Sequence, residues 1–441
     1  MNHKSESVDD DLIIKVALKV DCDQAVISIP QGNLENIKVK VKDDQVEVGG
    51  KLYRLFKVKV DDYFVVRDIP VGQGFHWEHL EDQAFRGTLI IRNKNKKLQI
   101  INELGLDQYL CSVVGSEMKA DLPGEYLKLH AVVARTAALS MMKAAHPHQP
   151  YDLCADDHCQ DYRGILRESS CILNAVMQTS GQVVHYKDEI ADLRFSKICG
   201  GLTMEYGEAW PEFNSHPYLI QKWDAPVDRV PDISRQQYIE GDFPEVWCSP
   251  SRGLIPGFEY VPDYFRWTKF IDLELIRENL HQFNYEVGKI RNILISRINK
   301  SFRNTEIKII GEKGEAVIKG ELNIRKILSS STLFSACFNL TFYTDSIKLQ
   351  GAGWGHGVGM CQIGALQMAV NGYKFQEILQ HYFPGVELKK LFSPPPISPL
   401  SWEEKRPCYE YANCYQLHRC AYGKSGNGPL DCKGSPPYSE L

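Results

Sequence analysis

The sequence predicts an α+β protein, a mixed α/β core led by an N-terminal β module and followed by a Cys-rich C-terminal extension. Three observations predict it. Residues 12 to about 105 carry short β-branched runs with period-two alternation, the pattern of half-buried strands. From Asp107 the apolar spacing changes to steps of three and four, the period of helices. After Ser393 a Pro-rich stretch leads to Cys408, Cys414, Cys420 and Cys432. The 441 residues exceed one ordinary core, taking ~150 residues per domain. The expected divisions are a β module at 1–100, a helical block with a His/Cys loop at 101–221, a second α/β lobe at 222–392, and linker plus tail at 393–441.

The elements follow in order. Strands are predicted at 13–20, 25–29 and 37–41, punctuated by Asp43-Asp44 and Gly49-Gly50, and a hairpin joins 87–92 to 97–101. Asp107 is a candidate N-cap for a helix carrying Tyr109, Leu110, Val113, Val114 and Glu117. Pro123-Gly124 breaks it. A second helix, about 125–143, is apolar on nearly every face, which predicts burial at the centre of a domain. Strands are expected around 181–198, a turn at Gly200-Gly201, a helix near 272–282, strands near 293–298 and 307–310, and helices near 363–371 and 375–383.

Composition narrows the function. With 43% hydrophobic and 24% charged residues the chain has the supply for a packed interior, so wholesale disorder is excluded. No uncharged apolar run approaches the ~20 residues of a membrane-crossing helix. A net charge of -5 without a basic stripe gives no expectation of nucleic acid as a partner. The segment 1–11 has no basic region followed by an apolar one, so a standard export signal is not visible. Thirteen cysteines are too many to pair completely, the number being odd.

Four features carry chemistry. Glu117 continues an apolar stripe, and a carboxyl among apolar neighbours is pushed toward its protonated form, which makes it a candidate general acid; a solvated helix end is the alternative. Arg135 lies inside the all-apolar second helix and needs a partner, either Glu117 as part of a substrate site or another group in a structural ion pair. His148, Cys154, His158 and Cys159 suit tetrahedral zinc, with His146 able to replace His148; ordinary loop residues or a Cys154–Cys159 disulfide are the alternatives. Gly occupies every second position from 351 to 359, leaving the backbone free for positive φ and close ligand approach. Trp354, Gly355 and His356 in that loop are candidate ligand contacts; a tight structural turn, which would explain one or two of the Gly but hardly five, is the alternative.

Together these motifs resemble the SpoIID/LytB family. The resemblance rests on Asn102-Glu-Leu, Tyr109-Leu, Val113-Val, Ser116-Glu-Met118, Leu127-Lys128, Ala131-Val-Val-Ala-Arg-Thr136, Gly200-Gly201, Gly353-Trp-Gly-His-Gly-Val-Gly-Met-Cys-Gln362, Gly364-Ala365, Ala369, Gly372, Ile378-Leu and His381-Tyr382, over roughly residues 95–390. It implies a peptidoglycan lytic transglycosylase with Glu117 as its catalytic residue, Arg135, Trp354, Gly355, His356 and Gln362 at the substrate, and a structural zinc on His148, Cys154, His158 and Cys159. Cys361 stands where family members usually have Ser. The implied partners are peptidoglycan glycan strands and an amidase or other cell-wall enzyme. The implied location is the cell envelope or outside, against which the missing leader leaves a cytoplasmic sugar-binding protein open. The alternative reading from another class is a non-catalytic peptidoglycan-binding amidase enhancer.

Overall fold

Alternating β-branched residues and polar turns build the opening sheet. The computed structural model describes residues 12–32, 34–73, 78–118, 122–142, 144–156, 158–227, 229–392 and 397. Residues 1–11, most of the Pro-rich linker and the Cys-rich tail lie outside these residues. Strands β1 (Ile13–Cys22), β2 (Gln24–Ile29), β3 (Leu34–Lys42), β4 (Gln45–Val48), β5 (Lys51–Tyr53), β6 (Leu55–Val71), β7 (His79–Lys94) and β8 (Lys97–Gly105) join the short β9 (Leu153–Cys154) in one nine-stranded sheet. Its order is β5-β4-β3-β2-β6-β7-β8-β1-β9, and only β9 runs parallel to its neighbour. The expected hairpin turns at Asn95 and Lys96, both at positive φ (53° and 64°), the two-residue form whose twist matches the strands. The expectation missed the long β6, whose register shifts against β7 bend the ribbon.

Strand β8 runs directly into α1 (Leu106–Glu117), with Gly105 rather than Asp107 at the N-cap. Asp107 sits inside the first turn, buried, because its carboxylate serves a tertiary partner described below. Helix α2 (Gly124–Met141) is the predicted central helix. Its all-round apolar surface is used by α1, by α3 (Ser170–Gln178), by β10 (Gln182–Tyr186) and by two helices from the far end of the chain. Strands β11 (Glu189–Ile190) and β12 (Phe195–Ser196) and short helices α4 (Tyr206–Ala209), α5 (Arg235–Glu240) and α6 (Val261–Phe265) follow.

A second, separate core comes next. It is made by β13 (Arg266–Asp272), α7 (Leu273–Gln282), β14 (Ile290–Ile298), β15 (Asn304–Gly311), β16 (Gly314–Lys319), α8 (Glu321–Ile327), β17 (Phe338–Phe342) and β18 (Ser346–Ala352). The chain then returns to the first core. Strand β19 (Met360–Cys361) pairs in parallel with β12, α9 (Gln362–Val370) and α10 (Phe375–Tyr382) pack on α2, and β20 (Glu387–Lys390) pairs with β10. This return places the residues after the Gly-rich loop beside the end of α1.

Candidate active site around Glu117

Glu117 is the last residue of α1, half-buried, with each carboxylate oxygen engaged. Oε1 accepts the Asp161 backbone N–H (3.3 Å) and Oε2 accepts from Gln362 Nε2 (3.4 Å). Lys197 Nζ donates to the Glu117 backbone carbonyl (2.8 Å), which ties the helix end to β12. Burial pushes the Glu117 carboxyl above its ordinary value and the nearby Asp161 charge adds to the push; Lys197 and the two hydrogen bonds offset this only in part. The carboxyl is held by the protein and is not a solvated helix end.

Gln362 is held from behind. Its Nε2 lies 3.2 Å from Nε2 of His130, a fully buried residue of α2 whose imidazole burial lowers to about 3, so the ring is neutral and accepts through Nε2. His130, Gln362 and Glu117 thus form a directed chain in which the amide aims at the carboxylate. On the other side, the segment 160–163 alternates. Gln160 and Tyr162 point inward, to Ala134 and Tyr109 and to Asn102, while Asp161 and Arg163 pair with each other (2.8 Å) beside Glu117. Sequence reasoning missed His130, Asp161 and Lys197. The available signals were a polar residue in an otherwise apolar helix and the alternation just after Cys159.

The Gly-rich loop is built differently from the expectation of an open cradle. Its N–H groups are taken by the protein: Gly353 by Phe265 O, Trp354 by Ile198 O and Gly355 by Phe334 O. Trp354 stacks on Tyr264 with ring centroids 4.2 Å apart. Gly357 is at φ 79°, and a Cβ there would collide with the Arg303 guanidinium. His356 Nδ1 accepts the Val358 N–H (3.0 Å), its ring meets Trp210, and it also bonds the Phe195 backbone. His356→Ala should therefore lower stability by about 2–4 kcal/mol, from two lost hydrogen bonds and ring packing. Urea denaturation checks it; an unchanged midpoint would return His356 to the role of a free ligand contact.

Arg135 pairs with Asp107, not with Glu117. It is fully buried, its Nε donating to Asp107 Oδ1 (2.8 Å) and its other nitrogens to the carbonyls of Gln182 and Val176. Of the two expected arrangements the structure shows the structural ion pair, and a side chain with no exposed surface in the centre of α2 offers nothing to a ligand, which corrects the substrate expectation.

The His/Cys loop gathers one different histidine. His146, Cys154, His158 and Cys159 bring their donor atoms within 4.8 Å of one another, whereas His148 is exposed at a positive φ of 67° outside the group. His146 Nε2 is 3.3 Å from Cys159 Sγ, and His158 Nδ1 is 3.5 Å and 3.8 Å from Cys159 and Cys154 Sγ. Sulfur and nitrogen on a tetrahedral zinc lie about 3.5 Å apart, so the donor set fits zinc. The loop ends where Asp161 begins, so whatever fixes it also fixes the N–H given to Glu117.

Comparison with known proteins follows the same map. A family model described as Stage II sporulation protein (SpoIID) matches residues 94–186, which carry Glu117 and the His/Cys loop. The amidase enhancer of Bacillus subtilis is 28% identical over 302 residues, 63% of this chain and 40% of that protein. Stage II sporulation protein D of Bacillus amyloliquefaciens is 25% identical over 305 residues, 66% of this chain and 76% of that protein. Residues 94–186 thus carry a SpoIID domain, and the resemblance to the SpoIID/LytB family is supported by these relatives. The chain spans less than half of the amidase enhancer it matches. It also matches an uncharacterised protein of Brachyspira hyodysenteriae, 27% identical over 331 residues, 75% of this chain and 79% of that one. A second model, described as a domain of unknown function, matches residues 204–359, the stretch with the second core and Trp354, Gly355 and His356. Gln362 thus reaches Glu117 from beyond both matched segments.

Proposed function

We propose that this protein is a peptidoglycan lytic transglycosylase that cleaves the bond between N-acetylmuramic acid and N-acetylglucosamine with Glu117 as its single acid/base. The SpoIID domain match and the names of the relatives support a cell-wall-related function. The observation that carries the finer reading is the half-buried Glu117 carboxyl, biased toward its protonated form and held by Asp161 N–H and Gln362. The carboxyl gives its proton to the glycosidic oxygen as the C1–O bond breaks. The resulting carboxylate, received by the two donors, takes the proton of the muramic C6 hydroxyl as O6 bonds to C1 and closes a 1,6-anhydro ring. The proton given is recovered and no water is consumed. Such a substrate belongs to the cell envelope or its exterior; no described helix is long and apolar enough to cross a membrane.

The test is to incubate sacculi, with and without stem peptides, with the protein and identify the released muropeptides by mass spectrometry. Products ending in 1,6-anhydro-muramic acid are expected. Reducing ends instead would make the protein a hydrolase, with Asp161 as its second carboxylate. A second reading, a non-catalytic partner of an amidase, is favoured by the name of the Bacillus subtilis relative and by the Trp354 ring being stacked on Tyr264. Binding to sacculi without any release would support that reading.

Zinc on His146, Cys154, His158 and Cys159 belongs to the same proposal. With four protein ligands it would hold the loop and supply no activated water. Cys154→Ser and Cys159→Ser should each lose one metal equivalent by elemental analysis and lower the melting temperature. Full metal content in both variants would remove the site.

A further inference from the structure

A second cluster of metal-binding character lies outside every role given above. Cys199, Asp224, Cys248 and Cys361 come from four separate stretches of chain, and their ligand atoms all lie within 4.8 Å of one another. All four are buried, none more than 1% exposed. Cys199 Sγ is 3.7 Å from Cys248 Sγ and 3.3 Å from Asp224 Oδ2. Two thiolates on a tetrahedral zinc, each with a bond of about 2.3 Å, are about 3.8 Å apart.

The surroundings treat these sulfurs as anions. Backbone N–H groups of Cys199 and Gly364 point at Cys361 Sγ (3.3 and 3.4 Å), and that of Gly201 points at Cys199 Sγ (3.3 Å). Cys361 is also the N-cap of α9, where the helix end favours negative charge. The outer oxygen of Asp224 is held by His381 Nε2 (3.1 Å), the arrangement by which a histidine orients a ligating carboxylate. The remaining oxygen faces the sulfurs, so close to α9 that a Cβ at Gly364 would lie 2.5 Å from it.

Charge gives an independent argument. Arg303, 1% exposed, donates to the Cys199 carbonyl (3.3 Å), while its Nε and Nη1 have no hydrogen-bond partner among the described residues. Arg266 donates to the adjacent Gly200 carbonyl (3.0 Å). Buried guanidinium groups need a nearby negative charge. Three thiolates and a carboxylate around one divalent ion leave a net charge of about −2, which these cations would balance. Three thiols packed as small apolar groups would not converge on a buried carboxylate. A disulfide would use two sulfurs and leave the third sulfur and the carboxylate unexplained.

We propose that Cys199, Asp224, Cys248 and Cys361 bind a second zinc ion in a closed structural site. Its ligands flank the catalytic residues' supports: Cys199 follows Lys197 by two positions, and Cys361 immediately precedes Gln362. The ion therefore fastens the two segments that reach Glu117 from outside the SpoIID match.

The test compares zinc content of the full chain, purified without chelator, in the wild type, Cys361→Ser, Cys248→Ser, Cys154→Ser and the double variant Cys154→Ser/Cys361→Ser. Any metal held by the tail cysteines is common to all of them. Cys361→Ser and Cys248→Ser should each contain one equivalent less than the wild type, and the double variant two less. Wild-type zinc content in both Cys361→Ser and Cys248→Ser overturns the proposal. Should the serine variants fail to fold, Asp224→His, which keeps a zinc-binding donor, should retain the full content. Independently, wild-type protein denatured with an alkylating agent and no reductant should show Cys199, Cys248 and Cys361 all alkylated. A disulfide among them, seen as a mass lower by two hydrogens and restored by reductant, also overturns it.

Discussion

Glu117→Gln should release no 1,6-anhydro-muropeptides from sacculi, a loss of at least about a hundredfold for removal of a general acid/base, and yet be more stable than the wild type at neutral pH. The amide keeps the shape and can still meet the Asp161 N–H, but it cannot give or take the proton. The stability gain has a definite sign. The folded-state pKa of Glu117 is raised above its ordinary value of 4.5, mainly by burial. Below 4.5 the carboxyl is protonated whether the chain is folded or not and contributes no difference. As pH rises from there through the raised value, the unfolded chain loses its proton first, and the native state loses stability. The Gln variant escapes that loss, so its advantage in melting temperature should be absent in acid and appear at neutral pH. Activity of the wild type should fall over the same rise, since the acid form starts the reaction. A variant equal to the wild type in stability at both pH values would mean that the carboxyl is not strained by its surroundings.

Arg135→Met should be the most damaging single change to the fold. It leaves the buried Asp107 carboxylate with the Ser180 hydroxyl (2.6 Å) but without its cation. Breaking a buried pair in this way costs about 3–5 kcal/mol, a large part of the ~5–15 kcal/mol that holds a domain together. The double variant Arg135→Met/Asp107→Leu should recover much of the loss, because no isolated charge remains. Urea denaturation of both gives the answer. Loss of glycan binding in Arg135→Met at full stability would instead return Arg135 to the substrate.

What could be read in the sequence was whatever local spacing dictates. The alternation of Ile37, Val39 and Val41 and the all-apolar surface of 125–143 found their elements, because period and burial are properties of adjacent residues. Glu117 stood out for the same reason, as a carboxylate on an apolar stripe. The partner of Arg135 was not legible: Asp107 looked like a helix cap by its position, and only tertiary packing turns it inward. The choice between His146 and His148 was equally hidden, since both are near enough in the chain and the decision lies in the positive φ at His148. The Cys199, Asp224, Cys248 and Cys361 group spans 162 residues between its first and last sulfur ligands, so no spacing rule applies to it.

The parallel pairing of β12 with β19 has a consequence in time. Glu117 and the amide that directs it are separated by 245 positions in the chain, and contacts of such long range form after the local ones. A chain emerging from its N-terminus would complete the nine-stranded sheet and α1 while the carboxyl still lacked Gln362. Under the proposed role, the Glu117 site is complete only once the last third of the chain is in place. A product cut short before β19 would carry the Glu117 carboxyl without the amide that meets it.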